Sequence, residues 1–220
     1  MSGIRQAPGR LAARRRDDWL VGAGFVAALG VFLFQEARIA GAPGFPLDDS
    51  WIHLHFARNL AEGAGFAYNP GRPVAGSTAP LWTLLLAAGI AVGAPPVWAA
   101  KILGSLLTLA GGLVARRLAL AWGGERIPAL LAGVGTLLLG RLAWGALSGM
   151  EVGLAALVTT GAFLAHVRER ETVCGLLLGL AILSRPETGL LVPLFLFARP
   201  LTLGRALRLD RKSTRLNSSH

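Results

Sequence analysis

Residues 47–62, LDDSWIHLHFARNLAE, set two adjacent carboxylates, two imidazoles, an arginine and a glutamate between strongly apolar runs. Asp48 and Asp49 have the chemistry of a general base with a supporting carboxylate. They equally suit the start of a helix, where acidic side chains and Ser50 satisfy free N–H groups and favour the positive end of the dipole. The two roles are compatible, because a carboxylate held at a helix start is well oriented. Ile52, Phe56 and Leu60 recur every fourth residue and predict an apolar stripe, with Asp49 and His53 one turn apart on another, polar face. His53 and His55 point in different directions on such a helix and make no shared metal site by themselves. Asp49 with His53 supplies two ligands for a divalent ion, short of the set that holds a metal. No metal site is assigned, and a divalent cation is left open as a cofactor.

Three further groups carry chemistry. Gly76-Ser77-Thr78, just ahead of an apolar run, offers N–H and hydroxyl donors to an anionic group. Glu151, after Ser148-Gly149-Met150, is either a helix-start carboxylate or a ligand for sugar hydroxyls. Arg185 in Ser-Arg-Pro-Glu lies between apolar segments and needs a counter-charge, for which Glu187 is the near candidate. Its alternative role is to grip the phosphate of a lipid-linked substrate.

The elements that position these groups belong to a membrane protein. The chain has 220 residues, is 53% hydrophobic and only 15% charged, and its mean hydropathy of +0.55 is far above that of soluble domains. Apolar runs cover residues 19–34, 81–92, 97–115, 127–146, 152–165, 173–183 and 189–197. Strand-like alternation is absent, so helices must satisfy the backbone in lipid. The fold class is therefore all-α, a polytopic helical membrane protein with an amphipathic helix in its first extracytoplasmic loop. The net charge of +10 falls in arginine clusters between apolar runs, which marks topology and not a nucleic-acid surface. Cys174, the single cysteine, excludes an internal disulfide and a cysteine-based metal site.

Arg5, Arg10, Arg14, Arg15 and Arg16 place the N-terminus in the cytoplasm, and residues 19–34 form an uncleaved anchor that exits outward. Further basic clusters at Arg116, Arg117 and Arg126, at 166–170, and at Arg199, Arg205 and Arg208 fix the alternation of the later runs. Residues 81–92, bounded by Pro80 and Pro95-Pro96, fit a re-entrant or interfacial helix better than a span; the alternative, in which they cross, would put Arg116 and Arg117 outside. Residues 173–183 and 189–197 form a hairpin of short helices broken at Arg185-Pro186. On this map the polar islands 47–78, 148–151 and 185–187 share the extracytoplasmic side and converge on one cavity. Ionisable groups at membrane depth are expensive and mark function by default. The organisation is thus a basic N-terminus over 1–18, a transmembrane domain over 19–200 containing the acidic-pair loop 41–96, and a polar tail over 201–220. Residues 210–220 resemble a read-through segment found on unrelated environmental sequences, so a different natural continuation is expected beyond residue 209.

The order of motifs resembles a known class. An N-terminal span, then DDSWIHLHFARNLAEGAGFAYNPG, then GSTAPLW, LSGME and LSRPE, is similar to the GT-C class of polyprenyl-phosphate-sugar-dependent membrane glycosyltransferases. The likeness is to the arabinofuranosyltransferase type and its bacterial relatives, with protein mannosyltransferases as further kin. It covers residues 19 to about 200 and is most specific from Asp48 through Trp82. The resemblance implies that Asp48 and Asp49 are catalytic. It also implies hexosyl or pentosyl transfer from a polyprenyl-phosphate-sugar donor to a glycan, lipid or protein acceptor at the outer face of a bacterial inner membrane. The class has a longer multispan core, so the chain reads as an N-terminal portion of such an enzyme. The competing class is a lipid-sugar flippase, a transporter subunit or an envelope assembly protein, whose polar groups would line a path instead of gathering on one side.

Overall fold

The computed structural model describes residues 8–197, with side-chain surroundings from Arg16 onward. Arg5 and the tail beyond 197 lie outside the described residues, and for Arg10, Arg14 and Arg15 only the backbone is described. Helices account for nearly all of it: α1 (Pro8–Ala40), α2 (Asp48–Ala61), α3 (Pro80–Ala91), α4 (Pro96–Ala121), α5 (Arg126–Leu138), α6 (Gly140–Leu147), α7 (Val152–Val167), α8 (Glu171–Ser184) and α9 (Leu191–Phe197), the last preceded by a 3₁₀ turn over Pro186–Leu190. A small antiparallel hairpin of β1 (Ala67–Asn69) and β2 (Arg72–Pro73) interrupts the Gly- and Pro-rich connector after α2.

Two helices are long and apolar enough to cross a membrane, residues Arg16–Ala40 of α1 and the whole of α4, with α5 and α6 a third if that pair is one span bent by 50°. The sequence predicts one continuous helix over 127–146, and here the structure differs. The helix stops at Leu138 and restarts at Gly140, with Leu139 in a non-helical conformation between them. Gly140 has the lowest helix propensity short of proline, and a break there aims α6 at the end of the bundle that holds the polar groups. α3, at 12 residues, reaches about 18 Å, well short of a bilayer core. Pro80 at its first turn and Pro96 at the first turn of α4 fix where each starts.

α4 is the central post. Gly104, Thr108, Gly111 and Gly112 face its neighbours, and these small residues let backbones approach closely. A methyl group added at Gly104 would strike the Ala146 carbonyl of α6, one at Gly112 the Leu137 side chain of α5, and one at Gly153 of α7 the Thr108 hydroxyl. α7 runs parallel to α4 along this seam, and α8 returns antiparallel against α7 through Ala162, Ala165, Cys174 and Leu178. Cys174 is a small buried packing residue.

Charged side chains mark the two ends of the bundle. At one, which we term the basal end, Asp17 and Asp18 of α1 hold Arg116 of α4, and Asp17 also takes Arg126 of α5 at 2.7 and 3.0 Å. Asp17 and Asp18 of α1, the end of α4 and the start of α5 are therefore neighbours. At the opposite, apical end, Glu36 of α1 meets Lys101 of α4 at 2.9 Å, and Lys101 donates to the Leu147 carbonyl at the end of α6. α2, the hairpin and α3 cap this apical end.

Candidate functional site

α2 is bound to the bundle through a polar face. Its buried residues are Ser50, His53, Leu54, Phe56, Ala57 and Asn59, whereas Ile52 and Leu60 are only half-buried. The stripe read from the sequence is thus rotated from the true inner face, and His53 points into the protein instead of lying on an outer polar face. The cause is that the surface α2 packs on is itself polar. Ser50 donates to the Ser148 carbonyl at 2.7 Å, a buried bond across 98 residues of chain.

The segment 148–151 is the hub. Trp82 of α3 donates its indole N–H to the Gly149 carbonyl at 2.9 Å. Gly149 has φ +82°, and a Cβ there would lie 2.7 Å from the Phe45 ring, so backbone conformation and space both demand glycine. Locked from both sides, this turn carries Glu151 into the protein at the head of α7, where it is 3% exposed. Glu151 Oε1 lies 2.8 Å from Arg185 Nε, and Oε2 lies 3.7 Å from His53 Nε2. The other ring nitrogen, His53 Nδ1, is 2.9 Å from the Ser77 hydroxyl, which in turn is 2.8 Å from Thr83 Oγ1. One chain of contacts therefore links Arg185, Glu151, His53, Ser77 and Thr83, drawn from five separate segments.

The counter-charge of Arg185 is Glu151 and not Glu187. Pro186 ends α8 and turns the chain into the 3₁₀ segment, which leaves Glu187 exposed and without an ion pair to Arg185. Arg185 itself is 43% exposed at its side chain and comes closest to Glu151 through Nε. Burial pushes the His53 imidazole below its ordinary value of 6.5, opposed in part by the charges of Glu151 and Asp49.

Asp48 and Asp49 occupy the first turn of α2, exposed, and Leu47 takes the cap position. Neither carboxylate hydrogen-bonds a described residue, so both are open to a substrate while favouring the helix dipole. Ser50 anchors this turn to residue 148, which brings the acidic pair to the end of the bundle that holds Glu151. Thr78 is exposed and makes no comparable contact. His55 secures the hairpin. It bonds the Tyr68 carbonyl at 2.8 Å and lies against the Tyr68 ring, while Asn59 holds the carbonyls of residues 67 and 68. Among the described residues no three His, Cys, Asp or Glu side chains gather to hold a metal ion.

Glu36 and a buried Lys101 form a pair that sequence reasoning does not single out. Lys101 is 2% exposed, bonded to both oxygens of Glu36 and to the Leu147 carbonyl, and sits 5.6 Å from the Phe45 ring centre. Both line an open cavity of about 420 Å³ with Phe32, Phe45, Pro46 and Trp144, and Pro46 brings its wall within two residues of Asp48. The available signal is an ionisable residue inside or at the end of an apolar helix, which hydropathy averaging conceals. Comparison with protein-family models, curated proteins and solved structures finds no match for this chain.

Proposed function

We propose that this chain is a membrane glycosyltransferase that moves a sugar from a polyprenyl-phosphate donor to an envelope acceptor. In this reading it passes several times through a bacterial inner membrane, with the basal end cytoplasmic and the apical end outside. The observation that carries the proposal is the gathering of Asp48, Asp49, Glu151 and Arg185, from three distant stretches of sequence, at one end of an apolar helical bundle beside a cavity with largely apolar walls.

A sugar on a polyprenyl phosphate already has a good leaving group, so one base to activate the acceptor hydroxyl suffices, unlike glycoside hydrolysis with its paired carboxylates. Asp48 is that base, exposed to an acceptor arriving from water, and Asp49 positions Asp48 or the sugar. Arg185 stabilises charge on the departing phosphate through its half-exposed guanidinium. Glu151 holds the guanidinium by Nε, so that its open edge is presented. The cavity between the ends of α1, α4 and α6 suits the isoprenoid.

The test is transfer by membranes carrying Asp48→Asn. Sugar transfer is expected to disappear with insertion intact, and retained transfer removes Asp48 from the base role. Reporter fusions after residues 70, 120, 149 and 186 check the orientation. A cytoplasmic acidic loop would overturn the outward-facing site.

A further inference from the structure

His53 plays no part in the transfer scheme, yet its Nε2 and the Glu151 Oε2 it faces at 3.7 Å are both buried and both lack a hydrogen bond. One carboxylate thus lies between an imidazole and a guanidinium whose side chain is 43% exposed. With His53 neutral the three side chains sum to zero charge, and with His53 protonated they sum to +1. We propose that His53, Glu151 and Arg185 form a proton-coupled anion site, taking a phosphate-type dianion on Arg185 together with one proton on His53.

This inference rests on the transferase reading and gives His53 a place in it. The donor is a phosphodiester with one negative charge. In transfer the bond from the acceptor oxygen to the sugar carbon forms and the bond from that carbon to the phosphate oxygen breaks. The acceptor hydroxyl loses a proton, and the phosphate departs as a monoester with a second negative charge. Asp48 takes the proton first; an imidazole, more basic than a carboxylate, retains it. Charge gained by the phosphate and the proton released are then held at one site.

The surroundings of His53 allow the coupling. Burial disfavours the charged ring, while Glu151 at the head of α7 and Asp49 on its own helix favour it in part. The loop and α3 present only the hydroxyls of Ser77 and Thr83. From α8 comes Arg185, already paired, and from α4 the cation Lys101 is committed to Glu36 and the Leu147 carbonyl. Tyr68 of β1 lies against His55 instead. By linkage, a dianion that makes His53 more basic must itself bind more tightly when His53 is protonated, by the same factor.

The experiment uses the full chain in detergent micelles with sulfate, which stays a dianion from pH 5 to 8. Calorimetry in two buffers of different ionisation enthalpy counts protons taken up, and NMR of the imidazoles follows His53. Binding at pH 5.5 is expected to be about fivefold or more tighter than at pH 7.5, with proton uptake and a raised His53 titration midpoint in sulfate. His53→Gln should bind with no uptake and no pH dependence, and Arg185→Gln should not bind. Arg185-dependent binding without uptake in the wild type, or uptake that survives His53→Gln, overturns the inference and leaves the phosphate clamp standing. Absence of Arg185-dependent binding at every pH overturns both. Transfer retained by Asp48→Asn would instead remove the catalytic reading without altering the sulfate result. The NMR titration of the wild type decides the matter even if a variant fails to fold.

Discussion

Removing either member of the Glu36–Lys101 pair should destabilise the protein, but not equally. At about 3 Å and an effective dielectric near 20, the gross attraction is about 5 kcal/mol, most of it offset by desolvation. Lys101 is 2% exposed and Glu36 23%, so the ammonium has far less access to water when stranded. Glu36→Gln leaves a buried cation with an amide oxygen, one carbonyl and an aromatic ring but no counter-charge, at a cost of about 3 kcal/mol. Lys101→Met leaves a carboxylate that still accepts from the Gly44 N–H at 2.9 Å and reaches solvent, at a cost of about 1–2 kcal/mol. The double variant strands neither charge and should cost about 2 kcal/mol less than the sum of the singles. Equilibrium unfolding in mixed micelles, followed by tryptophan fluorescence, measures all three. A larger loss from Lys101→Met than from Glu36→Gln, or strict additivity, would refute the argument that burial asymmetry sets the cost.

Stability should fall as pH drops below 6.5 in the absence of anions. Burial lowers the folded-state pKa of His53, so the unfolded chain binds more protons in that range, and stability is full above the unfolded value and lost as pH falls through the folded one. His53→Gln should flatten that limb of the unfolding profile. Gly149→Val forces a branched residue to φ +82° and into the Phe45 ring, which should cost about 2–4 kcal/mol in the same unfolding assay. Arg185→Ala should raise the KM for the lipid-linked donor in transfer assays, and unchanged donor kinetics would count against the clamp.

Composition is enough to read a helical fold of apolar helices, because hydropathy is summed over many residues and tolerates local error; that only two or three of them are long and apolar enough to span, with residues 152–167 too short, is not legible there. The short α3 is legible because prolines bound it. The break at Leu139 is not, since Leu-Gly inside an apolar run is compatible with a continuous helix, and only packing of α6 toward Gly104 through Ala146 decides it. The polar islands are legible as islands, but their pairings are not. Glu187 is two residues from Arg185 and Glu151 is thirty-four away, so local spacing favours the wrong partner. The four-residue stripe sends His53 to a polar outer face because it equates burial with apolarity, whereas Ser50 and His53 are buried through hydrogen bonds and charge. Lys101 escapes notice for the converse reason, a single cation hidden in the average of its apolar neighbours.

The turn at 148–151 ties these observations together. Its carbonyls anchor α2 through Ser50 and α3 through Trp82, its glycine seats Phe45 beside Lys101, and its glutamate holds Arg185. The bend between α5 and α6 delivers this turn to the apical end, with the Lys101–Leu147 bond fixing its start. A displacement of the turn therefore shifts the acidic pair, the guanidinium and the cavity wall at once. Four residues with one ionisable side chain thus set the relative positions of groups that α2 and α8 carry but cannot align by themselves.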